Sequence, residues 1–155
     1  MRPSQQLAEL GVTLPSAAQP AFKYVPVVIH GDVAYVSGQL PKVDNSIMVT
    51  GLVGGTVTLE QAKESARVCA MQALACLAEA LGSVDRVARI IKLTGFVASA
   101  AGFYEQPAVI DSASQFMLDV FGDDGRHARS AVGVAALPRN APVELEVIAA
   151  VRKHA

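Results

Sequence analysis

Apolar positions recur with period two near both ends of the chain and with helical spacing through its middle. Tyr24-Val25-Pro26-Val27-Val28-Ile29, His30-Gly31-Asp32 and Val33-Ala34-Tyr35-Val36-Ser37 read as strand, tight turn and strand, with the Gly-Asp pair marking a hairpin. Gly38-Gln39-Leu40-Pro41 ends the second strand, and residues 42–57, rich in Gly and Asn, read as a loop. Thr58-Leu59-Glu60-Gln61 is a capping-box pattern. Ala66, Ala70, Ala73, Leu77 and Leu81 then follow at spacings of three and four until Gly82 ends the helix. A third strand spans Val87–Val97, and Pro107–Phe121 forms a second helix with Gly122 just beyond it. Two further strands carry Ala128-Arg129-Ser130 and Val143-Glu144-Leu145-Glu146-Val147-Ile148. Residues 1–21, with a short helical piece at Ser4–Leu10, form a leader expected to pack on the surface of a single domain over 22–155.

The order β-β-α-β-α-β-β describes an α+β fold. Right-handed crossovers place both helices on one face of a mixed sheet and leave the other face open unless a partner covers it. In the last strand Val143, Leu145 and Val147 share one face, whereas Glu144, Glu146, Ile148 and Ala150 share the other. The glutamates are therefore expected to point away from the helices, towards a subunit interface. Charges embedded among Val, Ile and Ala are costly to bury unless paired or used, so Arg129 and the two glutamates mark a candidate site. The turn Leu137-Pro138-Arg139-Asn140-Ala141-Pro142 is expected to bring the arginine's strand alongside the glutamates' strand.

Composition narrows the function. Of 155 residues, 52% are apolar and 17% charged, more apolar surface than a domain this size hides in its own interior, which predicts a homo-oligomer. A net charge of −1 without a basic patch argues against a nucleic-acid partner. No apolar run approaches the roughly 20 residues of a membrane span. Met1-Arg2-Pro3-Ser4-Gln5-Gln6 lacks a signal-peptide core, so the expected compartment is the cytoplasm. Cys69 and Cys76 sit about 10 Å apart on one helix, too far for a disulfide. Asp123-Asp124 has no third ligand spaced for a metal, and Ser37 has no His–Asp arrangement around it. His127, two residues before Arg129, is a candidate for proton transfer, while His30 and His154 are expected to be solvated.

Several segments together resemble one family. They are Tyr24, Tyr35-Val36-Ser37-Gly38-Gln39-Leu40-Pro41, Leu93-Thr94-Gly95-Phe96-Val97, Ala128-Arg129-Ser130, Leu137-Pro138 and Glu144-Leu145-Glu146-Val147-Ile148-Ala149. From about residue 22 onward the chain resembles the RidA family, also called YjgF or endoribonuclease L-PSP proteins. The resemblance implies a fold like that of bacterial chorismate mutase and a homotrimer with ligand clefts between subunits. It also implies hydrolysis of reactive enamines and imines to a 2-oxo acid and ammonia, without metal or cofactor. The family's arginine falls on Arg129, its water-placing carboxylate on Glu144, its cleft aromatic on Tyr24 and its backbone-binding element on Ser37, Gly38 and Gln39. Ala131 stands where the family often has cysteine, and its backbone is a further candidate substrate contact. Gly133 stands at a frequently acidic position.

The implied chemistry suits these side chains. A guanidinium grips the carboxylate of a 2-imino acid through two parallel hydrogen bonds. A glutamate desolvated in an apolar strand has a raised pKa and can act as base or water anchor. Two alternatives stand beside hydrolysis: a module that binds small carboxylates without turnover, and the endoribonuclease or translation inhibitor of the family's older name. Arg129 also has a purely structural alternative, an ion pair with Glu144 or Glu146 across a subunit junction.

Overall fold

The computed structural model describes residues 1–153. Its elements follow the predicted order: α1 (Pro3–Glu9), β1 (Val27–His30), β2 (Val33–Gln39), β3 (Lys42–Val43), β4 (Ser46–Ile47), α2 (Leu59–Leu81), β5 (Val87–Ala98), α3 (Gln106–Phe121), β6 (Ala128–Val134) and β7 (Val143–Val151). The signals that frame α2 act as read. Thr58 Oγ1 accepts from the Gln61 N–H at 3.2 Å, Gln61 Oε1 accepts from the Thr58 N–H at 2.9 Å, and Gly82 closes the helix at φ 82°. Residues 42–57 are more ordered than a plain loop. Asp44 and Asn45, at φ 51° and 64°, turn β3 into β4, and the fully buried Val53 bridges to Ser99 and Val57. Two successive left-handed residues are what a tight two-residue hairpin requires, and Asp and Asn tolerate them best after glycine.

The main sheet has the order β1-β2-β7-β5-β6 and is antiparallel except for the parallel pair β5–β6. β6 and β7 are therefore not neighbours, and the expectation that a hairpin would join the strands of Arg129 and Glu144 is corrected. α3 carries the chain from β5 back to a parallel β6 on the sheet edge, and β7 takes the opposite side of β5. Between Val134 and Val143 the connection is longer than the two to five residues of a hairpin loop. It kinks through Arg139 and Asn140, at φ 57° and 56°, and is tied to the preceding loop by the Gly51 N–H donating to Asn140 O at 3.0 Å.

α2 and α3 pack side by side on one face of the sheet, as anticipated. Leu74, Leu77, Ile110, Phe116 and Met117 from the helices meet Ile90, Leu93, Leu145 and Val147 from the strands, all essentially inaccessible to solvent. Cys69 and Cys76 are free thiols within this layer, and burial pushes both up, Cys76 to about 11, so they behave as small apolar residues. Residues of β7 alternate strictly between buried and partly exposed, with Glu144, Glu146 and Ile148 on the face away from the helices. That face presents Val28, Tyr35, Ile91 and Val132, each more than a third exposed. Among the described residues no helix is long and apolar enough to cross a membrane.

Candidate functional site

One irregularity in the sheet creates the candidate site. β2 pairs with β7 through Val36↔Val147 and again through Gln39↔Leu145, so Ser37 and Gly38 together face Glu146. Such a bulge bends the strand and re-aims its neighbours. The Ser37 N–H donates to Pro26 O at 2.9 Å and its hydroxyl to Val25 O at 2.8 Å, which holds the Tyr24 segment against the bulge. Gln39, almost fully buried, donates from Nε2 to Ser37 O at 3.0 Å. Gly38 leaves room for the Glu144 carboxylate, which lies directly over it: a Cβ there would meet Oε1 and turn the carboxylate aside.

Gly38→Ala is accordingly expected to displace the Glu144 carboxylate at a stability cost of only about 0.5 kcal/mol. A denaturant titration checks this; a midpoint lowered much further would show that the carboxylate cannot swing aside.

Tyr24, Gly38, Gln39, Lys42, Arg139 and Glu144 line a cavity of about 340 Å³, walled on one side by Ala18–Phe22 of the leader. Glu144 is half-buried and has no hydrogen-bond partner among the described residues. Desolvation, and secondarily the charge of Glu146, raise its pKa above the usual carboxylate value, the direction expected from its place in an apolar strand. A larger open groove of about 630 Å³ beside Ile29, Leu81 and Val151 contains no half-buried acid.

Arg129 lies elsewhere. Its strand partner is the fully buried Leu93, so its side chain shares the helix face of the sheet, whereas Glu144 is on the opposite face. Nη1 donates to Asp111 Oδ1 at 2.7 Å and to Ser114 Oγ at 3.2 Å, and Nη2 reaches Pro107 O at 3.5 Å. The guanidinium is thus engaged by its own chain, and Asp111 rather than either β7 glutamate is its partner within the chain. His127 completes this cluster. With Nδ1–H donating to Gly125 O at 2.6 Å, its Nε2 accepts the Ser114 hydroxyl at 2.9 Å. Ala131, half-buried against the core on the face of Arg129, stays outside the Glu144 cavity.

The fold thus brings Tyr24, Gly38, Gln39 and Glu144 together, with Ser37 behind them, and sets Arg129 and Ala131 apart. Sequence reading passed over Lys42, Arg139 and the leader wall. The cue for the first two was present in the Asp44-Asn45 turn and the Pro138-Arg139-Asn140 kink; the leader has no periodicity to betray its position. His30 is exposed, and His154 lies outside the described residues.

Comparison with known proteins agrees with this architecture. The chain is 46% identical over 148 residues to Protein TCP17 of Trypanosoma cruzi, covering 95% of this chain and 92% of that one. It is 32% identical over 138 residues to a 2-iminobutanoate/2-iminopropanoate deaminase of Dermatophagoides farinae, covering 88% and 92%. The crystal structure of Atu1372 from Agrobacterium tumefaciens, a protein described as of unknown function, superposes with a TM-score of 0.89 at 48% identity, covering 96% of this chain and 92% of that one. Residues 15–151 match the family described as endoribonuclease L-PSP, and the chain belongs to that family.

Proposed function

We propose that the protein hydrolyses small 2-imino carboxylates and their enamine tautomers to 2-oxo acids and ammonia. The observation that carries this reading is Glu144: an unpartnered, desolvated carboxylate above a bare glycine backbone, in a cavity of ligand size. In the reaction Glu144 takes a proton from water as the water oxygen bonds to C2 of the imine and the C=N pair moves to nitrogen, which receives that proton to give a carbinolamine. Glu144 then relays the carbinolamine hydroxyl proton to nitrogen as the carbonyl forms, the C–N bond breaks, and ammonia leaves. Imines are intrinsically prone to hydrolysis, so orienting substrate and water supplies most of what is needed. The relative in Dermatophagoides farinae, named for this activity, supports the assignment.

In this reading three copies associate through the open sheet face, whose exposed Val28, Tyr35 and Val132 favour burial. Arg129, on the edge strand β6, then grips the substrate carboxylate at the junction with a neighbouring cavity, exchanging Asp111 for the ligand, while Tyr24 walls the cleft and the Ser37–Gln39 and Ala131 backbones orient the substrate. One observation favours binding without turnover as a second reading. Within one chain the Arg129 cluster and the Glu144 carboxylate stand on opposite faces of the sheet, so a carboxylate can be held at Arg129 without meeting the proposed base.

The test generates 2-aminoacrylate with a PLP-dependent dehydratase and follows pyruvate. The protein should accelerate its appearance, and Arg129→Ala should raise KM about tenfold through loss of a charge-assisted contact. No acceleration across several imino acids would refute the hydrolase; calorimetric binding without turnover would establish the second reading.

A further inference from the structure

Glu144 is the one acid among the residues that line the cavity, and Lys42 and Arg139 line it as well. Neither cation has an acidic partner within ion-pair distance among the described residues, and the Arg139 guanidinium bonds only to a backbone carbonyl, from Nη2 to Asn45 O at 2.9 Å. That bond joins the Pro138–Asn140 kink to the β3–β4 hairpin that begins at Lys42, so both cations belong to one braced unit. Arg139 and Asn140 hold left-handed backbone conformations there, a strain that persists only where surrounding contacts enforce it. Glu144 does not neutralise them. Lys42 also borders a second cavity of about 280 Å³ with Gln72, a buried side chain whose Oε1 has no partner. Among the described residues Glu144 and the two cations are therefore not ion-paired with one another.

Resting on the hydrolase reading above, we propose that Lys42 and Arg139 hold a second anionic group, so that the preferred substrates are 2-imino dicarboxylates. The C2 end lies at Glu144 and Gly38, and the side-chain carboxylate lies between the ammonium and the guanidinium. Pockets for ligands begin at about 300 Å³, and a three- or four-carbon imino acid leaves much of this one empty. A longer chain ending in a carboxylate fills the remaining length and meets both cations.

Isothermal titration with 2-oxoglutarate and 2-oxobutanoate, the stable products of the two imine classes, tests the inference. The protein should bind 2-oxoglutarate about tenfold tighter, the order of one charge-assisted contact. Lys42→Met and Arg139→Gln should each bring the ratio of the two affinities towards one; a purely structural role would weaken both ligands together and leave the ratio unchanged. Thermal melts of both variants show which of them folds, and either one suffices. Equal affinities in the unaltered protein, binding of neither acid, or an unchanged ratio in folded variants would overturn the proposal. Parallel rates on 2-iminoglutarate and 2-iminobutanoate separate the two claims. A 2-oxoglutarate preference without turnover of either imine removes the hydrolase and keeps the dicarboxylate site; turnover of 2-iminobutanoate with no preference does the reverse.

Discussion

Glu144→Gln is expected to slow imine hydrolysis by about 10²- to 10⁴-fold, the usual contribution of a positioned general base, while the protein keeps its fold. The amide preserves the shape that rests over Gly38 but cannot take a proton from water. A pH series makes the prediction sharper. Because burial raises the Glu144 pKa, the ionised and active form accumulates at higher pH than for a solvated glutamate, so kcat/KM should rise with pH through that shifted value and become flat in the variant. Stability runs the other way. The folded protein holds the Glu144 proton to higher pH than the unfolded chain, so between the two pKa values the folded state binds more protons and stability falls as pH rises. Glu144→Gln removes that penalty, and at neutral pH the variant should melt at or above the temperature of the unaltered protein. A variant that loses both activity and stability would indicate a structural carboxylate instead.

Phe116→Ala is expected to cost about 3–5 kcal/mol of folding free energy, the range for truncating a buried aromatic. Phe116 faces inward from α3, 2% exposed, within the core formed by both helices and the sheet. Its ring also lies 5.0 Å from the Arg67 guanidinium carbon on α2, a cation–π contact across the helix pair. Deletion leaves a cavity at the seam where α2 meets α3, and neither helix can close it without leaving the sheet. Urea unfolding monitored by circular dichroism should show a lower midpoint with an unchanged slope. A loss under 1 kcal/mol would mean that the two helices repack.

Elements with local chemistry were legible in the sequence. The Thr58–Gln61 box, Gly82 and the alternation through β7 each follow from contacts within a few residues, and the structure retains all of them. Glu144 could be found on the same ground, as an acid at an alternating position in an apolar strand. Strand order could not. Periodicity states which face a residue occupies but not which strand lies beside it, so the Leu137–Pro142 segment looked like a hairpin although β5 intervenes. The Arg129–Asp111 pair was hidden for a related reason: it depends on the rotational phase of α3 above β6, which no local pattern of charges encodes. The leader wall of the cavity has neither helical nor strand periodicity at residues 18–22, and nothing short of the folded chain places it against Glu144.

The position of β7 has a consequence for biogenesis. Although it is the final strand in chain order, it occupies the middle of the sheet, and β1–β2 meets β5–β6 within that sheet only through it. During synthesis the inner edges of β2 and β5, which β7 will cover, leave the ribosome unpaired, and each is a template for another nascent chain. The nine residues of β7 thus convert two adhesive fragments into a single sheet, so the interval between translation of β6 and emergence of β7 carries the aggregation hazard of those two open edges.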